Sequence, residues 1–579
     1  MPLLPSYTAE YSTQEITETF AGLNRNLKIG DGEFNDTCNL STEYYPLLSC
    51  RGRRGYVKDL TAPMGLIAKT KLAYVDGGTL YYDGTATGLT ELEEGEKQLV
   101  SMGAYICIFP DKAYYNTADA TDYGSMESSY YSSGNVRYSM CKLDGTEYAQ
   151  PAKSDTAPAT PENGSLWIDT SQSSHVLKQY SEATNEWVSV ATVYTKLTFN
   201  TKGVLPPKFS EYDGIRISGA AVGDVNGDKI IYGIGGDAET DDYLIVVGLL
   251  DKAETQTSGS VHLDRETPEL DYVCEAQNRL WGCRYGDDLN EIYCCALGDF
   301  KNWRKYMGLS TDSWTASVGS DGEWTGAVNY LGYPMFFKED RLYRVSVSGA
   351  GAHSVSETVC RGVQKGSEKS LVVVNETLFY KSRSDVCAYQ GGFPQGISEA
   401  LGQEAYSDAA AGAVKELYYI SMLDSANRAH LFVFNTRNGI WIREDELRCS
   451  YFARLEDELY CIADNRLIAL RGSTGTLEPY VEWMAESGML YYKAPEHKYV
   501  SRFNIRVQME EGAEVEIWLR YDEDPNWILK GTIKSSRNRT VPIPIRPRRC
   551  DHLRIKLKGK GEFKLFSISR NLSYGSDAG

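Results

Sequence analysis

The sequence predicts an all-β chain: a β-propeller with an inserted small β region and a C-terminal antiparallel β-sandwich. Three observations predict it. Long amphipathic helical patterns are nearly absent, and the interior repeats a short strand, a turn and another strand. The 579 residues include 41 tyrosines and 53 glycines; tyrosine suits the half-buried face of a strand, and glycine suits tight turns. Strand-pair units also recur, at Leu80-Tyr81, Tyr114-Tyr115, Leu280-Trp281, Leu342-Tyr343, Leu378-Phe379, Leu417-Tyr418 and Leu459-Tyr460. From Tyr343 the steps are 36 residues to Phe379, 39 to Tyr418 and 42 to Tyr460. A four-stranded propeller blade takes roughly 40 to 45 residues and a leucine-rich repeat roughly 20 to 29, so the steps fit the blade. No unit carries a W-D or kelch signature, which leaves a stack of unrelated hairpins as the competing reading.

In chain order, residues 1–55 are Asn-, Gly- and Thr-rich with little periodicity, and read as an N-terminal arm lying on other surfaces. Residues 56–117 begin the propeller. The unit spacing then halts at Tyr115 and resumes by Trp281, so 118–262 reads as an insertion of β modules with a flexible linker. That linker is QPAKSDTAPATPENG (150–164), whose composition keeps a chain extended or mobile. A small meander follows, with strands around Trp167, Tyr180 and Trp187. Residues 263–475 continue the propeller: Leu459, Cys461 and Ala463 alternate with Tyr460 and Ile462, and Asp464-Asn465 can turn the chain. In 476–579, Phe503, Ile505 and Val507 alternate with polar residues, as do Val515, Ile517 and Leu519, and this period of two predicts the sandwich.

Hydrophobic residues make up 42% and charged residues 24%, which is ordinary globular usage, and no apolar run approaches the ~18 residues of a membrane span. The start, MPLLPSYTAEYSTQ, has neither the basic nor the apolar region of a secretory signal, so a cytoplasmic origin and free thiols are expected for the thirteen cysteines. The net charge of −19 argues against wrapping duplex nucleic acid over the whole surface. The charge is uneven. Residues 495–579 carry +6 and the remainder −25, with a basic cluster at 530–564 that includes Arg546, Arg548 and Arg549. Such a cluster is a solvated strand face or a dock for an acidic partner.

Motifs for chemistry are few. Asp224-Val225-Asn226-Gly227-Asp228 opens like a calcium loop, but Lys229 stands in place of the turn glycine and Gly235 in place of the bidentate Glu. No metal and no cofactor are therefore expected. The six histidines are isolated, and no G-x-S-x-G, H-E-x-x-H or phosphate-cradling loop occurs. The sequence is read as that of a non-enzyme, with no catalytic residue, although carboxylates paired across a propeller mouth would leave no local motif. Trp167, Tyr180 and Trp187 could stack against a glycan, or simply form the core of their small module.

Three segments carry a resemblance: GLNRNLKIGDGEFNDTCNLSTEYYPLLSCRGRRG (22–55), NRLWGCRYGDDLNEIYCCALGDFKNW (278–303) and RCDHLRIKLKGKGEFKLFSISRNLSYGSD (549–577). They resemble virion proteins of tailed bacteriophages, of the packaged-DNA stabilisation or tail-nozzle type. The resemblance implies a structural tail protein, assembled in the bacterial cytoplasm, that forms a ring with its own copies and meets portal-adaptor or other tail proteins. Genomic DNA would pass through without sequence-specific binding, and the protein would have no membrane span. Arg51, Arg53 and Arg54 of the arm, with Arg546, Arg548 and Arg549, are the expected partner contacts. The 118–262 insertion departs from the family pattern and leaves a second expectation open: a host-surface glycan-binding or polysaccharide-degrading tail protein.

Overall fold

A computed structural model describes residues 11–574 apart from 288, 348–351, 493–496 and 535–536. The chain is almost entirely β, built from many small sheets. Among the described residues, six sheets share one plan, four strands joined as an antiparallel meander, and a seventh of five strands begins in the same way. The first sheet opens with Pro63–Ala68, the second with Gln98–Met102, the third with Tyr272–Ala276 and the fourth with Gly326–Tyr330. The fifth opens with Val372–Val374, the sixth with Ser407–Val414 and the seventh with Cys449–Leu455.

These first strands pack on one another in turn. Cys449–Leu455 lies against Pro63–Ala68, which lies against Gln98–Met102, then Tyr272–Ala276, then Gly326–Tyr330. Gly326–Tyr330 meets the short turn Glu368–Ser370 that leads into Val372–Val374, and the series returns through Ser407–Val414 to Cys449–Leu455. The approach between the sixth and seventh sheets depends on Gly412, where any side chain would meet Phe452 at 2.6 Å. The seventh sheet takes its fourth strand from far away in sequence. Gly55–Asp59 pairs with Arg466–Ala469, so the start of the series is hydrogen-bonded to its end.

Residues between the second and third sheets form two further sheets around their own core of Tyr138, Leu197, Phe199, Ile215, Leu244 and Leu263. A separate four-stranded sheet, Ala152–Ser154 to Glu186–Ser189, interrupts one of them between Val136–Cys141 and Tyr194–Phe199. Its first pair is parallel (Ala152 opposite Trp167) and the others antiparallel.

The C-terminal strands occupy two six-stranded sheets that share one buried cluster, including Trp483, Phe503, Ile505, Ile517, Leu519 and Leu565. The alternation read from the sequence is visible in Glu514–Tyr521, whose side chains are buried at every second position. The N-terminal segment differs from its reading as an arm on other surfaces. Tyr11–Thr17 pairs with Phe563–Tyr574, Glu33–Cys38 pairs with Glu482–Ser487, and Leu48–Cys50 pairs with Phe563–Tyr574. Phe20, Phe34, Leu40 and Leu48 fill the same core as the C-terminal strands. A register shift between Phe34 and Asp36 breaks the period of two, which is why this segment looks patternless in sequence. Residues 1–10 lie outside the described ones.

Deleting residues 11–50 is therefore expected to unfold the two-sheet module, because strands leave both sheets and their apolar faces become exposed. Limited proteolysis checks it: cleavage should spread through 498–574. A terminal module that stays protease-resistant would contradict this assembly.

Candidate functional site

A cavity of about 790 Å³ runs where the seven first strands face one another. Each sheet contributes to its wall, through Leu66, Val100, Val273, Ala327, Val373, Ala411 and Phe452 in chain order. A ligand-sized pocket is typically ~300–1,000 Å³, so the space fits a small molecule or a short stretch of polymer. Each meander returns the chain to the end at which its first strand began, so residues that precede a first strand gather at one mouth. Residues that follow one gather at the other.

The first mouth is rich in carboxylates. Glu96 precedes Gln98, Asp271 precedes Tyr272, and Glu368 with Lys369 precedes Val372. Lys369 Nζ reaches Glu96 at 2.9 Å and lies 5.0 Å from the centre of the Tyr451 ring. This side chain thus ties the approaches to the fifth, second and seventh sheets. Gln98 adds a neutral tie, its amide donating to the Asp271 carbonyl at 2.7 Å and accepting from the Val273 N–H at 3.0 Å. Burial pushes the Glu368 carboxyl above its ordinary range, and the charge of Glu96 adds to this. Burial also pushes Asp271 up, against the Tyr285 N–H that donates to it at 2.8 Å. The phenols of Tyr272 and Tyr451 are raised by burial as well, and stay neutral donors. The mouth therefore offers two carboxyls raised by burial, an ion-paired carboxylate and two tyrosines. Such a set can hydrogen-bond a polyhydroxylated ligand in both directions.

At the second mouth the charged side chains that line the cavity are Lys415 and Arg454, with Glu376, Glu416 and Glu456 in the adjoining turns. Lys415 follows Val414, and Arg454 stands near the end of Cys449–Leu455; both line the cavity and are exposed.

The residues singled out from sequence lie elsewhere. Trp167 is buried at 5% exposure, its indole N–H donating to Ser154, with Lys178 over the ring. Trp187 meets Trp167 edge-on at 5.4 Å and Tyr180 at 5.5 Å. The three aromatics are brought together, but they pack edge to face as a module core instead of presenting a flat row. Arg51 and Arg54 differ from their reading as partner contacts: both are buried and held within the chain. Arg54 binds Glu444 at 2.6 Å and Asp445 at 2.5 Å, and Arg51 binds Glu478 at 2.7 Å. Arg53, beside them, is exposed. Arg546, Arg548 and Arg549 are exposed on the two-sheet module, where Arg548 meets Asp524 at 3.2 Å. In the calcium-like stretch, the Asn226 amide is engaged with the Ala220 backbone and serves the turn.

Sequence reasoning missed Glu96, Asp271, Glu368 and Lys369. Glu96 lies in the acidic run ELEEGE, which reads as solvated linker, and no local spacing links it to Glu368. The thirteen cysteines are free thiols, most of them buried among the strands. Among the described residues, no helix is long and apolar enough to cross a membrane.

No protein-family model matches this sequence, and no curated protein does. Among solved structures, an exo-β-1,3-galactanase from Phanerochaete chrysosporium with galactose is similar at 8% identity and a TM-score of 0.20, over 50% of this chain and 92% of that one. A variant of that enzyme with β-1,3-galactotriose is similar at 6% identity and a TM-score of 0.20, over 52% and 94%. These neighbours are glycoside hydrolases, and the expectation that this chain is not an enzyme is corrected on that finding.

Proposed function

We propose that the chain is a tail protein of a tailed bacteriophage, that its seven sheets are the blades of a β-propeller, and that it binds a host-surface polysaccharide in the cavity at the propeller centre. The observation that carries the binding site is the cavity itself. All seven first strands line it, and one mouth gathers Glu96, Asp271, Glu368, Tyr272 and Tyr451. Sugars are recognised by such mixtures of donors, acceptors and aromatic faces. The tail assignment is supported by the sequence resemblance. Two of the three segments that carry it, 22–55 and 549–577, supply paired strands of one module, with Leu48 opposite Leu565.

The test is retention on an array of purified bacterial capsular and O-antigen polysaccharides, together with alginate and dextran. Binding to at least one member is expected, and a blank array would remove the reading. Release of new reducing ends from a bound member, absent in Glu368→Gln, would extend the reading from binding to cleavage, with Glu368 as proton donor.

A second reading, a ring-forming nozzle component, is favoured by the exposed Arg546, Arg548 and Arg549 in a segment that carries +6 while the rest of the chain carries −25. Cryo-electron microscopy of the intact particle separates the two: a symmetric ring around the genome channel supports the nozzle, and a peripheral position supports the glycan reading.

A further inference from the structure

The two mouths of the cavity are electrically unlike, and this bears on which polysaccharide it takes. Which polysaccharide is taken is a question only on the carbohydrate reading above. We infer that the ligand is an anionic polysaccharide, received through the mouth that Lys415 and Arg454 line.

Four lysine and arginine side chains line the cavity, and two of them are neutralised. Lys97 is buried against Asp111 at 2.7 Å, and Lys369 is paired with Glu96 at 2.9 Å. Lys415 and Arg454 have no ion-pair partner among the described residues. The Arg454 Nε–H donates to the Glu456 carbonyl at 2.9 Å, which orients the guanidinium without cancelling its charge. Glu376, Glu416 and Glu456 stand in the turns at this mouth, but none of them lines the cavity. At the opposite mouth, the Lys369–Glu96 bridge spans the approaches to the fifth and second sheets and, among the described residues, leaves no unpaired cation there. The two unpaired positive charges of Lys415 and Arg454 favour an anion approaching through the mouth they line.

The class of anion follows from the far end of the cavity. A nucleic acid carries a phosphate at every residue and would bring charge against Glu96, Asp271 and Glu368. A polysaccharide with uronate or similar groups spaced among neutral hydroxyls can leave its charge at Lys415 and Arg454. It can then place hydroxyls against the carboxyls and tyrosines.

The experiment compares the full-length protein with Lys415→Gln/Arg454→Gln on the same array, sorting members by whether they carry anionic groups, with alginate and dextran oligomers as the defined pair. Both substitutions are at exposed positions, and thermal melting confirms that the variant is folded. Expected are binders confined to anionic members, weakening in high salt, and a loss of about tenfold or more in the double variant. Equal retention of neutral members, or unchanged binding by the double variant, would overturn the inference while leaving the carbohydrate reading intact. A blank array would overturn both. Displacement of the retained glycan by an oligodeoxynucleotide at equal charge concentration would overturn it in favour of a nucleic-acid site.

Discussion

Replacing Arg54 with alanine is expected to cost about 3–5 kcal/mol of folding stability, the range for breaking a buried ion pair from one side. Arg54 and Glu444 each have side chains only 6% exposed, and they meet at 2.6 Å. Removing the guanidinium strands the Glu444 carboxylate in a dry site. Arg51, at 3.9 Å, is already committed to Glu478 and cannot take over. The position matters beyond the pair. Arg54 immediately precedes Gly55–Asp59, the strand that joins the start of the series to its end, and Glu444 and Asp445 end the outer strand of the sixth sheet. On the other side of Glu444, the Asn39 N–H donates to its carbonyl, and Arg443 binds Asp36 at 3.1 Å. The same junction thus joins the sixth and seventh sheets and docks the two-sheet module. Urea denaturation followed by tryptophan fluorescence measures the loss; a change below about 1 kcal/mol would show that the pair is solvated in solution. Replacing both partners by apolar residues, Arg54→Met with Glu444→Leu, should recover only part of the loss, because Asp445, 2.5 Å from Arg54, loses its cation.

Asp445 and Glu478 set the acid side of this junction's pH dependence, opposed by Glu444, whose carboxyl burial holds above its ordinary range. Burial pushes Asp445 up, but Arg54 outweighs it and holds the carboxyl below its ordinary range; Arg51 does the same for Glu478. Carboxyls depressed in the folded state contribute stability that is full above the unfolded value of about 4 and is lost as pH falls through the folded values. Stability should accordingly drop in acid, and drop less in Arg54→Met/Glu444→Leu.

Filling the cavity should have the largest effect on function. Val373 lies in the middle of the fifth sheet's first strand, lines the cavity and is 37% exposed, so a larger side chain there enters open space without displacing core. Val373→Trp is expected to abolish retention on any polysaccharide that the unaltered protein binds, with little change in urea midpoint. Retained binding with the cavity filled would move the site elsewhere, the half-buried edges of Trp187 and Tyr180 being the next place to look.

How much of this was legible in the sequence depends on how local each feature is. The later repeating units were readable because their strand pairs are adjacent: Leu459, Cys461 and Ala463 alternate, a two-residue turn follows, and Arg466–Ala469 returns beside them. The alternation of Glu514–Tyr521 was readable for the same reason. The N-terminal strands were not, since their partners lie more than 400 residues away and a bulge at Phe34 breaks their pattern. Gly55–Asp59 likewise shows nothing of its pairing with Arg466–Ala469. The cavity was the least legible feature. Glu96 sits in a linker and Glu368 in a short turn, and only the cyclic packing of the first strands brings them to one mouth.

The central claim, that a polysaccharide is bound inside the propeller, is tested most directly by a crystal or cryo-electron microscopy structure of the protein with an oligosaccharide from the retained array member. The account predicts density within the cavity, its charged groups near Lys415 and Arg454 and its hydroxyls against Glu368, Tyr272 and Tyr451. An empty cavity with density on the 152–189 module, or on the two-sheet module around Arg546, would contradict it.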